Sequence, residues 1–372
     1  MRICLAHPYV WPEVQRGGER YLDDLARYLT SAGHVVDVVT GGEETNVETV
    51  DGATRRRRRR RDVWVGDKLG LTDVDMFGVD AWPCFARRRY DVVQALVPSA
   101  AIAARLAGQR TIFSTIGFPT PGHPPQRRRR ALVRLAVRTA HVLTAPSEAA
   151  AMAFTDVTGR TAEALWPGVW LDRFPLARSD RPTEPVLLYP SDLSVRRKGL
   201  DILLAAVAQL LPGYPGMRLL LSGAGDAGWA FRRLSASDRQ AVTAATDLAG
   251  IADTAELVRR YQTSTVTVLP AKEEAFGMVL IESLACGTPV VGCAGSGMTE
   301  IVTDPAIGRL AEFGDVPSLA RALDDAITVA GDPATSDRCR TAASAFGWQE
   351  RIGPLHERLY ERVARRPRGR VE

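Results

Sequence analysis

Two glutamates separated by seven residues, Glu274 and Glu282, enclose a Phe-Gly pair at Phe276-Gly277. The pattern predicts a helix that begins near Gly277, and free N–H groups at a helix N-terminus attract anions. Eight helical steps come to roughly two turns, so both carboxylates are predicted to lie on one side of a pocket. An anion flanked by two groups that accept hydrogen bonds from hydroxyls describes a bound nucleotide-sugar.

The flanking sequence separates this pattern from an ordinary amphipathic helix with a glutamate at each end. Thr265–Leu269 is an apolar, β-rich run that ends at Pro270, and a Gly287-Thr-Pro289 turn leads into a second apolar run, Pro289–Val291. The segment is therefore predicted to form, in order, a strand, a loop, a helix, a turn and a second strand. Open α/β sheets bind ligands at the carboxyl ends of such strands.

Three other segments place glycines or cations between a predicted strand and a predicted helix. They are Gly17-Gly18, the basic segment Arg196-Arg197-Lys198-Gly199, and Gly223-Ala-Gly225. Glycine permits close approach of a phosphate or sugar, and clustered cations suit a diphosphate. Gly223–Gly228 also fits a G-x-G-x-x-G pattern with Asp247 about 20 residues on, which leaves nicotinamide binding open as an alternative.

Short apolar runs and helical stretches alternate through both halves of the chain, which predicts two parallel α/β sheets. Helices are expected at Glu19–Ser31, Leu200–Leu211 and within Arg340–Val363. The predicted strands are Arg2–Ala6, Val35–Val39, Asp91–Leu96, Thr111–Thr115, His141–Ala145, Val186–Tyr189, Met217–Ser222, Thr265–Leu269 and Pro289–Val291.

The Glu-x7-Glu segment, with its Phe-Gly pair and the following Ser-Leu-Ala-Cys-Gly-Thr-Pro-Val-Val, resembles the signature of family 4 of the retaining GT-B glycosyltransferases. The resemblance extends over nearly the whole chain. It implies two Rossmann-like domains with an interdomain cleft and a C-terminal crossover helix. The implied boundaries are an acceptor-binding domain at 1–175, a linker at 176–185, a nucleotide-sugar-binding domain at 186–345, and a returning helix with a basic tail at 346–372.

The resemblance also implies roles for particular residues. Lys198 would contact the donor phosphates and act in catalysis with Glu274 at the sugar, while Glu282 would hold the ribose. The other residues implied for the donor are Gly17, Gly18, Arg196, Arg197, Gly223, Gly225, Phe276, Gly277, Met278 and Val279. The expected co-substrate is a nucleoside-diphosphate-sugar, either UDP- or GDP-linked, with no bound cofactor and no metal.

Two positions depart from the family pattern. The family usually has an arginine six residues before the lysine, where this chain has Asp192. Either Arg196 or Arg197 supplies the second cation, or this chain handles the diphosphate differently. Many relatives also have a histidine before a glycine in the N-terminal domain, where this chain has Ile116 before Gly117. His123 is a candidate replacement on the acceptor side.

Composition restricts the location and the partners. No apolar run reaches the roughly 18 residues of a membrane span, and the first residues lack the features of a signal peptide. Five cysteines without paired spacing fit buried thiols in the cytoplasm. The arginine run Arg55–Arg61 is expected to be a solvated, mobile loop, and it lacks the interleaved aromatic residues of a nucleic-acid platform.

These observations predict a bacterial enzyme that moves a sugar to a hydroxyl on a natural product, glycolipid or polysaccharide precursor. Two alternatives are a catalytically inactive, nucleotide-sugar-binding partner subunit and a GT-B sugar-nucleotide epimerase. Arg127–Arg130 precede an apolar helical stretch, Ala131–Val137. This segment suits either peripheral contact with the inner face of the membrane or packing on the sheet.

Overall fold

A computed structural model of the chain describes residues 1–14, 16–60, 71–119, 127–176 and 182–366. The chain forms two compact units. Unit 1 contains Met1–Gly168 and Trp348–Glu372, and unit 2 contains Val169–Gly347. Unit 2 thus begins before the linker predicted at 176–185, because Val169 already pairs with Gly347 in a parallel bridge. Part of that linker and the basic tail after residue 366 lie outside the described residues.

Unit 1 is built on an eight-stranded sheet with the order β3-β4-β2-β1-β5-β6-β7-β8. All neighbouring strands are parallel except β3 and β4, which form an antiparallel pair. The strands are β1 (Arg2–Ala6), β2 (Val35–Gly42), β3 (Asn46–Val50), β4 (Ala53–Arg59), β5 (Val92–Ala95), β6 (Thr111–Ser114), β7 (Val142–Ala145) and β8 (Glu163–Ala164). Among the described residues, the helices of the first part of this unit are α1 (Gly17–Ser31), α2 (Asp73–Arg87), α3 (Pro98–Leu106), α4 (Arg127–Thr139) and α5 (Glu148–Thr158).

The arginine run is a strand, so the expectation of a mobile loop is wrong for its described part, 55–60. Strand β4 pairs with β2 from Thr54 to Arg59. Carboxylates on adjacent elements neutralise its cations: Arg56 donates to both oxygens of buried Asp37, at 2.8 and 3.2 Å, and Arg57 bonds Glu48 at 3.0 Å. The like charges of Arg55, Arg56 and Arg57 are tolerated because each of these side chains pairs with a carboxylate outside the run.

Unit 2 is built on a six-stranded parallel sheet with the order β11-β10-β9-β12-β13-β14. Its strands are β9 (Val186–Tyr189), β10 (Arg218–Leu221), β11 (Thr246–Leu248), β12 (Val266–Val268), β13 (Val290–Cys293) and β14 (Gly308–Ala311). This is the doubly wound 3-2-1-4-5-6 arrangement, in which strand order reverses between β9 and β12. Ligands bind at the carboxyl ends of the strands at that reversal.

The remaining helices cover the second sheet, apart from the last, which belongs to unit 1. They are α6 (Leu200–Leu210), α7 (Gly228–Phe231), α8 (Ala236–Ala245), α9 (Thr254–Thr263), α10 (Met278–Ala285), α11 (Val316–Ala330), α12 (Thr335–Ser344) and α13 (Gly353–Ala364). The two parallel sheets with covering helices confirm the predicted α/β class and its two Rossmann-like halves.

Helix α13 is anchored to unit 1 by buried aromatic side chains. Trp348, 1% exposed, stacks on Tyr21 and Tyr28 with ring centroids 6.2 and 6.1 Å apart. The Tyr360 hydroxyl donates to the side-chain oxygen of Gln94 on β5. Burial of such large aromatic side chains stabilises the packing of the last helix on unit 1. The last helix therefore completes the core of this unit.

Candidate functional site

The loops that follow β9 and β12 meet at the point where strand order reverses in unit 2. The Lys272 N–H donates to the Arg197 carbonyl at 2.7 Å. Gly199 has φ of +73°, and a Cβ at this position would lie 2.1 Å from the Pro270 carbonyl oxygen. Only glycine fits here, because both the left-handed backbone and the close approach exclude a side chain. The two loops are therefore held against each other by their backbones.

An ion pair between Lys198 and Glu274 lies where these loops meet. Lys198 Nζ is 2.6 Å from Glu274 Oε2, and Arg197 Nη1 is 3.5 Å from the same oxygen. The Lys198 and Glu274 side chains are 17% and 15% exposed, whereas Arg197 is 53% exposed. Burial raises the pKa of Glu274, but the Lys198 ammonium and the Arg197 guanidinium outweigh it, so the net pKa lies below the ordinary value.

The helix of the Glu-x7-Glu segment begins where the sequence predicts, directly after Gly277, but Glu274 lies outside it. Glu273 has φ of +51° and Gly277 has φ of +106°, so the chain cannot be helical at these positions. Helix α10 starts at Met278, and no side chain caps it. The predicted face shared by the two glutamates is therefore wrong, because Glu274 lies in the loop before the helix. The N–H groups of half-buried Met278 and Val279 instead form an open helix N-terminus after that loop.

Glu282 lies within α10 and is 1% exposed. Its Oε2 accepts a hydrogen bond from the Tyr261 hydroxyl of α9 at 2.9 Å. The two glutamates thus have different partners, Lys198 for Glu274 and Tyr261 for Glu282. The role of Glu282 at a ribose stays a prediction.

Phe276 and Gly297 fix the loop that carries Glu274. Phe276 is buried and contacts Phe346 edge to face, with ring centroids 5.5 Å apart. The Gly297 N–H donates to the Glu274 carbonyl at 2.9 Å, and a Cβ on Gly297 would lie 2.3 Å from the Ala275 carbonyl oxygen. Sequence reasoning missed Gly297, although the Gly295-Ser-Gly297 run shortly after the predicted strand Pro289–Val291 was the signal available.

The glycine-rich loop after β10 packs on the loop after β9. A Cβ on Gly223 would lie 2.0 Å from the Ser191 carbonyl oxygen, and one on Gly225 would lie 2.3 Å from Ser194 Oγ. Asp192 builds the same turn, because its Oδ1 accepts the Ser194 N–H at 2.9 Å. These contacts give the two glycines and Asp192 a definite structural role, while donor binding by the glycines stays a prediction.

The two candidate cations have different neighbours, and their roles at the donor stay predictions. Arg196 stacks on the Trp229 ring at 5.4 Å, whereas Arg197 lies beside Glu274. Arg197 is therefore the second cation next to the Lys198–Glu274 pair.

The geometry also argues against the nicotinamide alternative. The G-x-G-x-x-G segment follows β10 and not β9, the first strand of its unit. Asp247 forms a two-point ion pair with Arg218, at 2.5 and 3.1 Å.

In unit 1, the carboxyl ends of β1 and β6 bring together Gly18 and Ile116. Helix α1 begins at Gly17, and a Cβ on Gly18 would lie 2.7 Å from Ile116 Cδ1. Ile116 thus fills the space beside the first helix turn, and Gly117 follows it on the surface. His123 lies outside the described residues, so its candidacy stays a prediction.

A surface cleft of about 490 Å³ lies at the carboxyl ends of β1, β2 and β4 in unit 1. Arg60 stacks on Tyr9 at 4.6 Å within it, and the Tyr9 hydroxyl donates to Asp73 at 2.5 Å. The residues that line it are Tyr9, Glu13, Val14, Gly42, Glu43, Glu44, Asn46, Arg57 and Arg60. Sequence reasoning missed this cleft because its arginines belong to the run that was assigned to a loop.

Comparison with known proteins adds two family matches. The family described as "Glycosyl transferases group 1" matches residues 176–345, and the "Glycosyl transferase 4-like domain" matches residues 16–167. Of the described residues, none forms a helix that is both long and apolar enough to cross a bilayer.

Individual relatives agree with these matches. A D-inositol 3-phosphate glycosyltransferase of Thermobifida fusca is 33% identical over 51% of this chain and 48% of its own length. The chain thus spans about half the length of such curated relatives. A phosphatidyl-myo-inositol mannosyltransferase of Propionibacterium freudenreichii is 24% identical over 97% of the chain and 94% of its own length.

The fold has a solved counterpart in Anabaena HepE in complex with UDP. That structure has a TM-score of 0.70 and 19% identity, and the match covers 98% of this chain and all of HepE. Two family matches, one on each half, agree with the resemblance that the Glu-x7-Glu segment carries. The chain therefore belongs to the group 1, family 4-type glycosyltransferases of the GT-B fold.

Proposed function

We propose that the protein transfers a sugar from a nucleoside-diphosphate-sugar to an acceptor hydroxyl with retention of the anomeric configuration. The observation that carries the proposal is the Lys198–Glu274 pair beside the open N-terminus of α10. A diphosphate needs cations and free N–H donors, and a sugar needs a carboxylate that accepts from its hydroxyls. This site has all three at the carboxyl ends of β9 and β12.

The site residues would act mainly through charge. The bond between the sugar C1 and the phosphate oxygen breaks, the acceptor oxygen bonds to C1 on the same face, and the leaving phosphate takes the acceptor proton. Negative charge grows on that phosphate, and Lys198, Arg197 and the α10 N–H groups would stabilise it. Glu274 would orient the sugar through its hydroxyls. No metal is required in this scheme, so chelation should leave the turnover unchanged.

For the donor we propose a UDP-sugar or a GDP-sugar. The UDP bound in the HepE complex supports the UDP-sugar. For the acceptor we propose a hydroxyl on a phosphorylated polyol or its lipid-linked form, as the names of the two inositol-directed relatives suggest. The unit 1 cleft, with Arg57, Arg60 and several carboxylates, offers donors and acceptors for such a molecule.

The direct test is a panel of UDP-, GDP-, ADP- and dTDP-sugars incubated with the protein, with and without candidate polyol phosphates. We expect release of one nucleoside diphosphate that accelerates with one acceptor, and NMR of the product should show the donor's anomeric configuration. A product of opposite configuration would overturn the retaining mechanism. Sugar-nucleotide isomerisation without transfer would favour the epimerase.

An inactive binding subunit remains the second candidate, because Asp192 and Ile116 replace two residues usual in the family. Donor binding by calorimetry without any hydrolysis or transfer, across the whole panel, would establish it.

Peripheral membrane contact is a separate proposal. It is supported by α4, where Leu135 is 45% exposed and several arginines precede it.

A further inference from the structure

A buried histidine with an unused proton donor lies at the amino edge of the unit 1 sheet, opposite the strand ends that carry Gly18 and Ile116. His141 directly precedes β7 and is 3% exposed. Its Nδ1 accepts the Thr111 backbone N–H at 3.1 Å. In the neutral ring the proton must then be on Nε2. Nε2 is buried and has no hydrogen-bond partner among the described residues. Unpaired buried donors are uncommon and call for an explanation.

Four arginines surround this histidine. Arg160 and Arg366 both donate to the His141 carbonyl, at 3.1 and 2.9 Å. Arg110 Nε donates to the Arg366 carbonyl at 2.6 Å, and Arg105 Nε donates to the Thr139 carbonyl at 3.1 Å. We refer to His141 and these four arginines as the His141 cluster.

Carbonyl oxygens are the only acceptors that the four arginines have among the described residues. Each guanidinium carries five N–H donors and a full charge, so most of this donor capacity and all of the charge stay unmatched. Burial and repulsion from Arg366 lower the pKa of Arg160. Burial, followed by the four guanidinium groups, lowers the pKa of His141 to about 4. Arg55, Arg56 and Arg57 of β4, by contrast, pair with carboxylates.

We propose that the His141 cluster binds a phosphate-type oxyanion, held by the guanidinium groups and by His141 Nε2–H. An oxyanion supplies several acceptor oxygens and the negative charge that these four guanidinium groups do not find among the described residues, and arginine binds phosphate through parallel N–H···O bonds. The site is distinct from the donor site, which belongs to unit 2. The anion comes either from free phosphate or from a phosphomonoester headgroup at a membrane surface.

The test uses the full chain and the ¹⁵N signals of the His141 ring, which report on this site alone. Inorganic phosphate is added at constant ionic strength against chloride, and phosphatidylcholine vesicles with and without phosphatidic acid form a second arm. We expect phosphate to shift the Nε2 signal and to raise the pKa of His141 above about 4. Arg366→Gln should weaken phosphate binding about tenfold, the equivalent of one charge-assisted contact.

Arg138→Gln is the matched control, because Arg138 is exposed at the end of α4, outside the cluster. It removes the same charge and should leave phosphate affinity unchanged. Arg110→Gln provides a second test if Arg366→Gln fails to fold. A response to phosphatidic acid alone would assign the anion to a lipid headgroup. No Nε2 shift in either arm, or equal weakening by Arg138→Gln and the cluster variants, would overturn the proposal.

Discussion

Lys198 and Glu274 neutralise each other at 2.6 Å in the free protein. The ammonium keeps N–H donors beyond the one directed at Glu274, so a diphosphate can join the pair without breaking it. At this scale the sequence assigned Lys198 and Glu274 to one site and the structure brings them into contact, whereas the helical spacing expected for Glu274 is wrong. The positive φ of Glu273 separates Glu274 from the helix, and this depends on tertiary contacts that a spacing rule does not include.

Replacing Lys198 by alanine should weaken binding of a nucleoside diphosphate by roughly 1.5–3 kcal/mol, because a charge-assisted contact is lost. Binding of the nucleoside alone should barely change. Calorimetry with both ligands measures this difference. Lys272→Ala is the control, since Lys272 is an exposed lysine next to the same loop. Equal losses for diphosphate and nucleoside would instead make Lys198 a structural residue.

Glu274→Gln should lower kcat more than donor affinity, because its proposed partner is the reacting sugar. Glu282→Gln should weaken donor affinity and leave kcat less affected, because a ribose contact acts in the ground and transition states alike. Steady-state kinetics of both variants separate the roles. Near-normal kinetics in both would remove the support for the proposed transfer reaction. A lower melting temperature in Glu282→Gln alone would reflect its buried bond to Tyr261.

The loops at the ends of β9, β10 and β12 form the site as a set, since each packs on its neighbour through a glycine. Apolar runs predicted the bounds of their strands closely. The predicted strand Val186–Tyr189 has the same bounds as β9, and the predicted strand Met217–Ser222 is one residue longer than β10 at each end. Strand β4 was missed because its burial depends on carboxylates from β2 and β3 and not on apolar side chains. A pattern of hydrophobic residues carries no information on such partners.

Gly199→Ala should lower the stability of unit 2 by more than about 1 kcal/mol, since a side chain there meets both left-handed strain and the Pro270 carbonyl. Donor affinity should fall with it, because Lys198 precedes this residue. The midpoint of urea unfolding, followed by tryptophan fluorescence, measures the effect. Gly213→Ala is the matched control: it is not left-handed, and its nearest contact, the Leu210 carbonyl oxygen, is 3.6 Å away. Similar midpoints for the two variants would contradict the packing argument.

For the whole molecule, buried histidines link stability to pH, and they include His7, whose pKa burial also lowers. Burial lowers the pKa of His356 to about 4, and burial with the surrounding arginines does the same for His141. In the unfolded chain both should titrate near the ordinary value of 6.5. Between these limits only the unfolded state binds the protons, so acidification favours unfolding.

We therefore expect the free energy of unfolding to be highest above pH 6.5 and to fall as the pH drops towards 4. Each histidine should contribute a slope of roughly 1.4 kcal/mol per pH unit. His356→Gln should reduce the total slope by that amount, as measured from urea unfolding at a series of pH values. Parallel curves for the two proteins would show that His356 does not cause the effect.

The path of the chain has a consequence for synthesis. Unit 2 is one continuous segment, 169–347, inserted between the two parts of unit 1. The ribosome makes the first 168 residues early, yet Tyr21, Tyr28 and Gln94 receive their C-terminal partners only when Trp348 and Tyr360 emerge. The inserted unit can close its own core before then. Unit 1 is thus the first to be translated and the last to complete its fold. Tyr21 and Tyr28 stay without their contacts to Trp348 while unit 2 is translated.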